Sequence, residues 1–108
     1  MRRKSDVLAK AIIKAIKQHK GKEVVSLDLR EIETAICDFF IICHGTSSTH
    51  LSSIVDNVRK DVSKLMEEKP WHTEGESNKE WILMDYFDVV VHVFNQEKRD
   101  FYKLENLW

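Results

Sequence analysis

Apolar residues recur at helical spacing in three stretches of the chain. The first follows Ser5, a predicted N-cap, and ends near Gly21; its apolar positions are Leu8, Ala11, Ile12, Ala15 and Ile16. The second begins after Ser47 or Ser48 and ends before Pro70, with a stripe of Leu51, Ile54, Val55, Val58, Val62, Leu65 and Met66. The third, residues 98–107, turns Phe101, Leu104 and Leu107 inward. We expect three helices.

Between these stretches the pattern is that of β-strands. Residues 23–29 alternate, and residues 38–43 form a nearly unbroken apolar run, typical of a strand covered on both faces. A short strand follows at 71–74, and residues 80–85 and 88–94 form a hairpin around Tyr86 and Phe87. The predicted order is α-β-β-α-β-β-β-α. This indicates an α/β fold in one domain, 1–108, with a mixed sheet of about five strands and flanking helices.

Alternate residues of the hairpin divide into two unlike faces. One is wholly apolar and should face the core; it comprises Ile82, Met84, Val89, Val91 and Val93. The other combines aromatic, acidic and histidine side chains; it comprises Trp81, Leu83, Asp85, Asp88, Val90, His92 and Phe94. Such a composition is typical of a partner-binding surface. Cover by the last helix or by loops explains it equally well, and both interpretations stay open.

Charge is distributed unevenly along the 108 residues. Residues 1–22 carry eight lysines or arginines against one acid, whereas the other 86 residues carry nine basic and seventeen acidic side chains. Residues 74–88 hold five acids and one lysine. An acidic body favours a basic partner over a phosphate backbone. The basic first helix suits either a membrane surface or, as we expect, packing on the sheet with its lysines in water.

The cysteines and histidines predict neither a disulfide nor a metal site. Cys37 and Cys43, placed on one strand face, would lie about 20 Å apart, too far to pair, so both should be free buried thiols. The five histidines show no metal-ligand spacing, so no metal or cofactor is predicted. Free thiols, the lack of a signal peptide and the lack of a membrane-spanning run indicate a cytoplasmic protein.

The segment Gly45-Thr46-Ser47-Ser48 lies between a strand and a helix. Backbone N–H groups and hydroxyls at such a junction can hold a phosphate. The same residues more often cap the helix, and the spacing matches neither a P-loop nor a dinucleotide fingerprint. We therefore expect capping.

Several motifs, in order along the chain, resemble the Iojap-related ribosomal silencing factor family. They are Leu27-Asp28-Leu29, Asp38-Phe39-Phe40-Ile41-Ile42, Cys43-His44-Gly45-Thr46-Ser47-Ser48-Thr49-His50, Glu74-Gly75-Glu76, Trp81, Asp85-Tyr86-Phe87-Asp88-Val89-Val90-Val91-His92-Val93-Phe94 and Phe101-Tyr102-Lys103-Leu104-Glu105-Asn106-Leu107-Trp108. In one departure, Phe87 occupies the turn position where the family usually has glycine.

The resemblance implies a nucleotidyltransferase-like fold without catalytic carboxylates, and hence a factor that is not an enzyme. It implies binding to ribosomal protein L-fourteen at the inter-subunit face of the large ribosomal subunit. Binding there blocks joining of the small subunit and lowers translation in starved or stationary cells. It implies no membrane and no sequence-specific contact with nucleic acid.

We expect partner binding on the mixed hairpin face, through Trp81, Asp85, Asp88 and His92, with Glu74 and Tyr86 at its rim. Two alternatives remain. One is a nucleotide-binding or nucleotidyltransferase-like enzyme that uses the Gly45–Ser48 loop for phosphates and Asp85 and Asp88 for magnesium. The other is a homodimer formed through the mixed face.

Overall fold

The computed structural model describes residues 2–102, and the side chains of residues 5–99. The elements are α1 (Arg2–Gln18), β1 (Lys22–Asp28), β2 (Phe39–Gly45), α2 (Ser48–Met66), β3 (His72–Glu74), β4 (Trp81–Asp85), β5 (Val89–Asn95) and α3 (Gln96–Tyr102). The predicted order of helices and strands is confirmed. The expected inward positions of Phe101, Leu104 and Leu107 lie outside the described side chains.

The five strands form one mixed sheet in the order β1-β2-β5-β4-β3. β2 and β5 are parallel neighbours at its centre, and the other pairs are antiparallel. β5 is buried at six of its seven positions, and β2 likewise, which explains their nearly unbroken apolar sequences. The hairpin is confirmed, with Asp85 opposite Val90.

α1 and α2 pack together on one face of the sheet, and the main core lies beneath them. The predicted core face of the hairpin is confirmed, because its five apolar residues are all buried there. The fully buried side chains of this core include Ile12, Ile16, Ile41, Leu51, Ile54, Val55, Val58, Val62, Ile82 and Met84. The apolar face of α1 is thus covered by protein, as expected for packing on the sheet.

The helix ends differ in part from expectation. Ser5 does not cap α1: the helix begins at Arg2, and the buried Ser5 hydroxyl donates a hydrogen bond to Asp38 Oδ2 over 2.8 Å. Gly21 does close the helix, its N–H donating to the carbonyl of Ile16. α2 ends at Met66, before Pro70, and Leu65 in its last turn is 69% exposed instead of belonging to the stripe.

The face of the sheet away from α1 and α2, called the outer face below, is covered at both ends. The connection 29–38 folds over one end, where Leu29 and Cys37 pack with Val90. At the other end α3 contacts β2 and β5, and the buried Arg99 donates to His44 Nδ1 over 3.0 Å and to the carbonyl of Lys22. The alternative left open above, that the last helix or loops cover this face, is therefore confirmed in part.

The two cysteines lie on opposite faces of the sheet. Both are free and buried, as predicted. Their expected placement on one face is wrong, because β2 begins at Phe39 and leaves Cys37 in the preceding connection. Cys43 belongs to the core under the helices, and Cys37 to the smaller cluster on the outer face.

Candidate partner-binding face

On the hairpin side of the outer face, the accessible part is formed by β3 and β4, beside the buried strand β5. Strand register places Glu74, Leu83 and His92 in one row across these strands. A second row runs from His72 through Asp85 to Val90. Side chains in such rows lie on the same side of the sheet. The alternation of the hairpin therefore assigned its two faces correctly.

Trp81 is held on this face by two neighbours. Its indole N–H donates to His92 Nδ1 over 3.0 Å, and its ring stacks on Phe94 with centroids 5.0 Å apart. Trp81 is half-buried, whereas Phe94 is fully buried beneath it. The indole is thus fixed in orientation while part of its surface stays accessible to a partner.

His92 is buried and accepts the hydrogen bond of Trp81, so it is not exposed to solvent. Only 4% of it is exposed, and the Phe40 ring packs edge-on at 4.7 Å. Burial lowers the pKa of His92 to about 4, against the opposing charge of Asp85. Because an indole N–H can only donate, Nδ1 must be unprotonated and the neutral ring carries its proton on Nε2. That nitrogen is buried and has no hydrogen-bond partner among the described residues.

Tyr86 lies on the other side of the sheet from Trp81. The expected rim position is wrong: Tyr86 is 7% exposed and belongs to the core under the helices. Burial raises the pKa of its phenol to about 12. The reason is alternation, since Tyr86 follows Ile82 and Met84 at even spacing and so continues the inward face beyond the end of β4.

Three carboxylates of this part of the molecule stay accessible. Glu74 and Asp88 are exposed and Asp85 is half-exposed. Glu74 is tied to the neighbouring His72, with Oε2 2.6 Å from Nε2, and Asp85 Oδ1 accepts the N–H of Phe87. The structure thus brings Glu74, Trp81 and Asp85 together on one face, with Asp88 at its end.

Residues 45–48 form a helix cap. Ser47 Oγ accepts the N–H of His50, and the N–H of Thr46 donates to the His50 ring. A side chain at Gly45 would meet the backbone of Leu51 at 2.8 Å, so the chain is closely packed here. The predicted capping role is confirmed, and the N–H groups of Thr46 and His50 are used within the cap.

The carboxylates and this loop lie at opposite ends of the sheet. Gly45 is beside Asn95 at the end of β5, whereas Asp85 and Asp88 flank its start. Seven residues at about 3.3 Å each separate the two ends by roughly 20 Å. A phosphate held at the loop could not be reached by a magnesium ion bound at Asp85 and Asp88.

Trp71 is a surface residue that the sequence pattern did not single out. It is 61% exposed and stacks on Phe87, which is 68% exposed. The one feature of the sequence that pointed to this surface was Phe87 at a turn position. Its pairing with Trp71 could not be predicted, because the two residues come together only through the pairing of β3 with β4.

The described residues form neither a metal-binding cluster nor a membrane-spanning helix. No group of three or more histidine, cysteine, aspartate or glutamate side chains there could hold a metal ion. In the same part of the chain, no helix has both the length and the apolar character needed to span a membrane.

Known proteins resemble this chain over almost its whole length. Residues 2–108 match the family described as "Ribosomal silencing factor during starvation". The ribosomal silencing factor RsfS of Halalkalibacterium halodurans is 37% identical over 101 residues, 94% of this chain and 85% of its own. A crystal structure of a protein from Chromobacterium violaceum superposes with a TM-score of 0.88 at 30% identity, covering 95% and 84% of the two chains.

A more distant relative comes from mouse. Its name is "Mitochondrial assembly of ribosomal large subunit protein 1". It is 27% identical over 99 residues, which are 90% of this chain and 43% of the mouse protein.

Proposed function

This chain belongs to the ribosomal silencing factor family, and on that premise we propose that it represses translation by binding the large ribosomal subunit in the cytoplasm. The contact is ribosomal protein L-fourteen at the inter-subunit face. A domain bound there occupies space that the small subunit needs, so joining is blocked without any chemical step. Repression is expected when nutrients are limiting or growth has stopped.

The observation that carries this proposal is the acidic, aromatic outer face. Trp81 provides a large apolar surface whose orientation is fixed by His92 and Phe94. Buried aromatic anchors of this kind supply much of the affinity of protein interfaces. Asp85, Asp88 and Glu74 give the face a negative charge, which accelerates association with a basic protein and selects against acidic ones.

His92 takes an indirect part in this site. Its ring accepts the indole hydrogen bond and separates Trp81 from Phe40, so it sets the position of the anchor. Tyr86 supports the turn from the core side. We therefore assign contact with the partner to Glu74, Trp81, Asp85 and Asp88, and positioning to His92 and Tyr86.

Membership of the ribosomal silencing factor family and the geometry of the helix cap both favour translational repression over nucleotide chemistry. The donors of Thr46 and His50 are engaged in the cap, and the carboxylates lie at the far end of the sheet. Phosphoryl transfer requires phosphate-binding groups and magnesium-binding carboxylates at one place.

The test is sedimentation of the protein with separated ribosomal subunits. We expect it to migrate with free large subunits and to slow the joining of small subunits followed by light scattering. Migration with small subunits alone, or with neither subunit, would refute the proposal. Micromolar ATP binding by calorimetry that is lost in Ser47→Ala would support the nucleotide alternative instead.

A further inference from the structure

Exposed apolar side chains are concentrated at one end of the sheet. The described residues include six large apolar side chains that are exposed. Two of them, Val7 and Leu65, lie on the helices. The other four lie at the end of the sheet where the β4–β5 turn and the connection 29–38 meet: Ile32, Ile36, Trp71 and Phe87. The connection 29–38 and the β4–β5 turn are joined by a hydrogen bond in which the N–H of Asp38 donates to the carbonyl of Asp88.

Trp71 and Phe87 form an aromatic pair that the backbone holds in place. Their ring centroids are 5.3 Å apart and the planes are inclined by 27°. Both residues are anchored to Asp85: the N–H of Trp71 donates to its carbonyl, and the N–H of Phe87 donates to its side chain. The backbone of both residues is thus tied to Asp85, and the stacked rings form an exposed apolar surface beside the outer face.

Phe87 occupies a backbone conformation that is unfavourable for it. Its φ is 78°, and the N–H of Asp88 donates to the carbonyl of Tyr86 across it, which closes a strained three-residue γ-turn. Glycine adopts positive φ without this cost, whereas a side chain with a Cβ does not. An exposed ring that is kept in a strained turn stabilises the fold little. Strain of this kind is typical of binding sites.

The charge around the pair selects a cationic occupant. The two sequence ranges that contain the pair, residues 67–75 and 85–88, together hold five acids and one lysine. Asp88 follows Phe87 directly, and the Asp85 carboxylate accepts the N–H of Phe87 over 2.8 Å. An aromatic face beside carboxylates attracts a guanidinium or ammonium group, and the same carboxylates repel a phosphate backbone.

We propose that Trp71 and Phe87 form a stacking site for an arginine or lysine side chain of a basic protein partner. The site adjoins Asp85 and so extends the outer face beyond Trp81 to the turn. This inference rests on the proposed function, because it takes the ribosomal protein as the partner. It adds an anchor at the end of the sheet that the face predicted from the hairpin alone did not contain.

The first test compares Phe87→Gly and Trp71→Ala with the parent in binding to purified large subunits. Phe87→Gly removes the ring and the strain, so it should melt at the same temperature as the parent or higher while binding about tenfold more weakly. Trp71→Ala should weaken binding similarly. Leu65→Ala, which truncates an equally exposed residue on α2, should bind like the parent.

A second comparison tests the cationic character of the occupant. Phe87→Leu keeps an apolar side chain in the strained turn but has no aromatic face, and it should bind as weakly as Phe87→Gly. Phe87→Trp should bind like the parent. Equal binding by Phe87→Leu and the parent would show that an apolar group, not a cation, occupies the site and would overturn the inference.

The remaining outcomes are separable. If the parent binds large subunits and both Phe87→Gly and Trp71→Ala bind equally well, the aromatic pair is not a contact while the proposed function stands. If the parent does not bind large subunits, both proposals fail. If sedimentation equilibrium shows a dimer of the parent that Phe87→Gly dissociates, the occupant is a second copy of this chain, which also overturns the inference.

Discussion

The two faces of the sheet are made from the same strands but follow different rules. The face under α1 and α2 is a continuous apolar core in which Ile82, Met84 and Val91 are buried. The outer face alternates with it residue by residue and carries an indole, a histidine and carboxylates. One face maximises packing. The other buries less apolar surface but holds a few polar and aromatic groups in fixed positions, which is what a binding surface needs.

The largest difference between the two faces should appear in the free energy of unfolding when the same charge is introduced on each. Val91→Asp places a carboxylate in the helix-covered core, where it has no partner, and should cost about 4 kcal/mol or more, enough to unfold a small domain. Leu83→Asp on the outer face is half-exposed, so its carboxylate stays in water and should cost about 1 kcal/mol. Urea unfolding of the two variants measures both values, and equal destabilisation would contradict the comparison.

The next largest effect concerns His92 and pH. Its pKa is about 4 in the folded protein and about 6.5 when unfolded. Between these values the unfolded chain binds the extra proton, so the free energy of unfolding falls as pH falls from about 6.5 towards 4. The lowered pKa corresponds to a loss of about 3 kcal/mol. In His92→Gln, whose amide oxygen can still accept the indole N–H, this part of the pH dependence should vanish.

Urea titrations of parent and His92→Gln at pH 7 and pH 4.5 test that prediction. Subtracting one pH dependence from the other removes the contributions of the remaining titratable groups. An identical pH dependence in the two proteins would mean that His92 is not held neutral by burial.

Trp81→Ala should weaken binding to large subunits by about tenfold or more, because it removes the aromatic anchor of the outer face. The fold should persist, since the indole is only half-buried and the helix-side core is untouched. Trp81→Phe keeps the stacking on Phe94 but removes the N–H donor, and should have an intermediate affinity. Circular dichroism on each variant separates binding from folding: loss of both together would make Trp81 a core residue.

The smallest effect is expected at the turn that joins β4 and β5. Phe87→Gly relieves a positive φ that costs a residue with a Cβ roughly 1 kcal/mol, and loses part of the stacking on Trp71. The free energy of unfolding should rise by about 1 kcal/mol or less. Calorimetric melting measures the change, and a clear destabilisation would mean that the stacked pair contributes more than the turn strain.

The periodicity of the sequence predicted the architecture because each face of each element is a local property. Alternation alone separated Val91 from His92, and the helical stripe found Leu51 and Val58. Tyr86 could also have been assigned by alternation; its aromatic, polar character and its place at the turn suggested a surface position that the structure contradicts.

The features that the sequence could not predict depend on contacts between distant segments. Which loop covers the outer face (residues 29–38), the bond from Arg99 to His44 and the pairing of Trp71 with Phe87 are all set by residues far apart in the chain. Burial of His92 follows from the same packing. A face that appeared mixed along the strand is therefore covered over β5, and its accessible part lies on β3 and β4.

The most direct measurement of the central claim is the affinity of this protein for isolated ribosomal protein L-fourteen after one charge reversal on each side of the sheet. Asp85→Lys changes the outer face, and Asp56→Lys makes the same change at an exposed position on α2. We predict about tenfold or more weaker binding for Asp85→Lys at low salt, a smaller difference at high salt, and parental affinity for Asp56→Lys. Equal weakening by both variants, or none by Asp85→Lys, would contradict the assignment of the outer face as the binding surface.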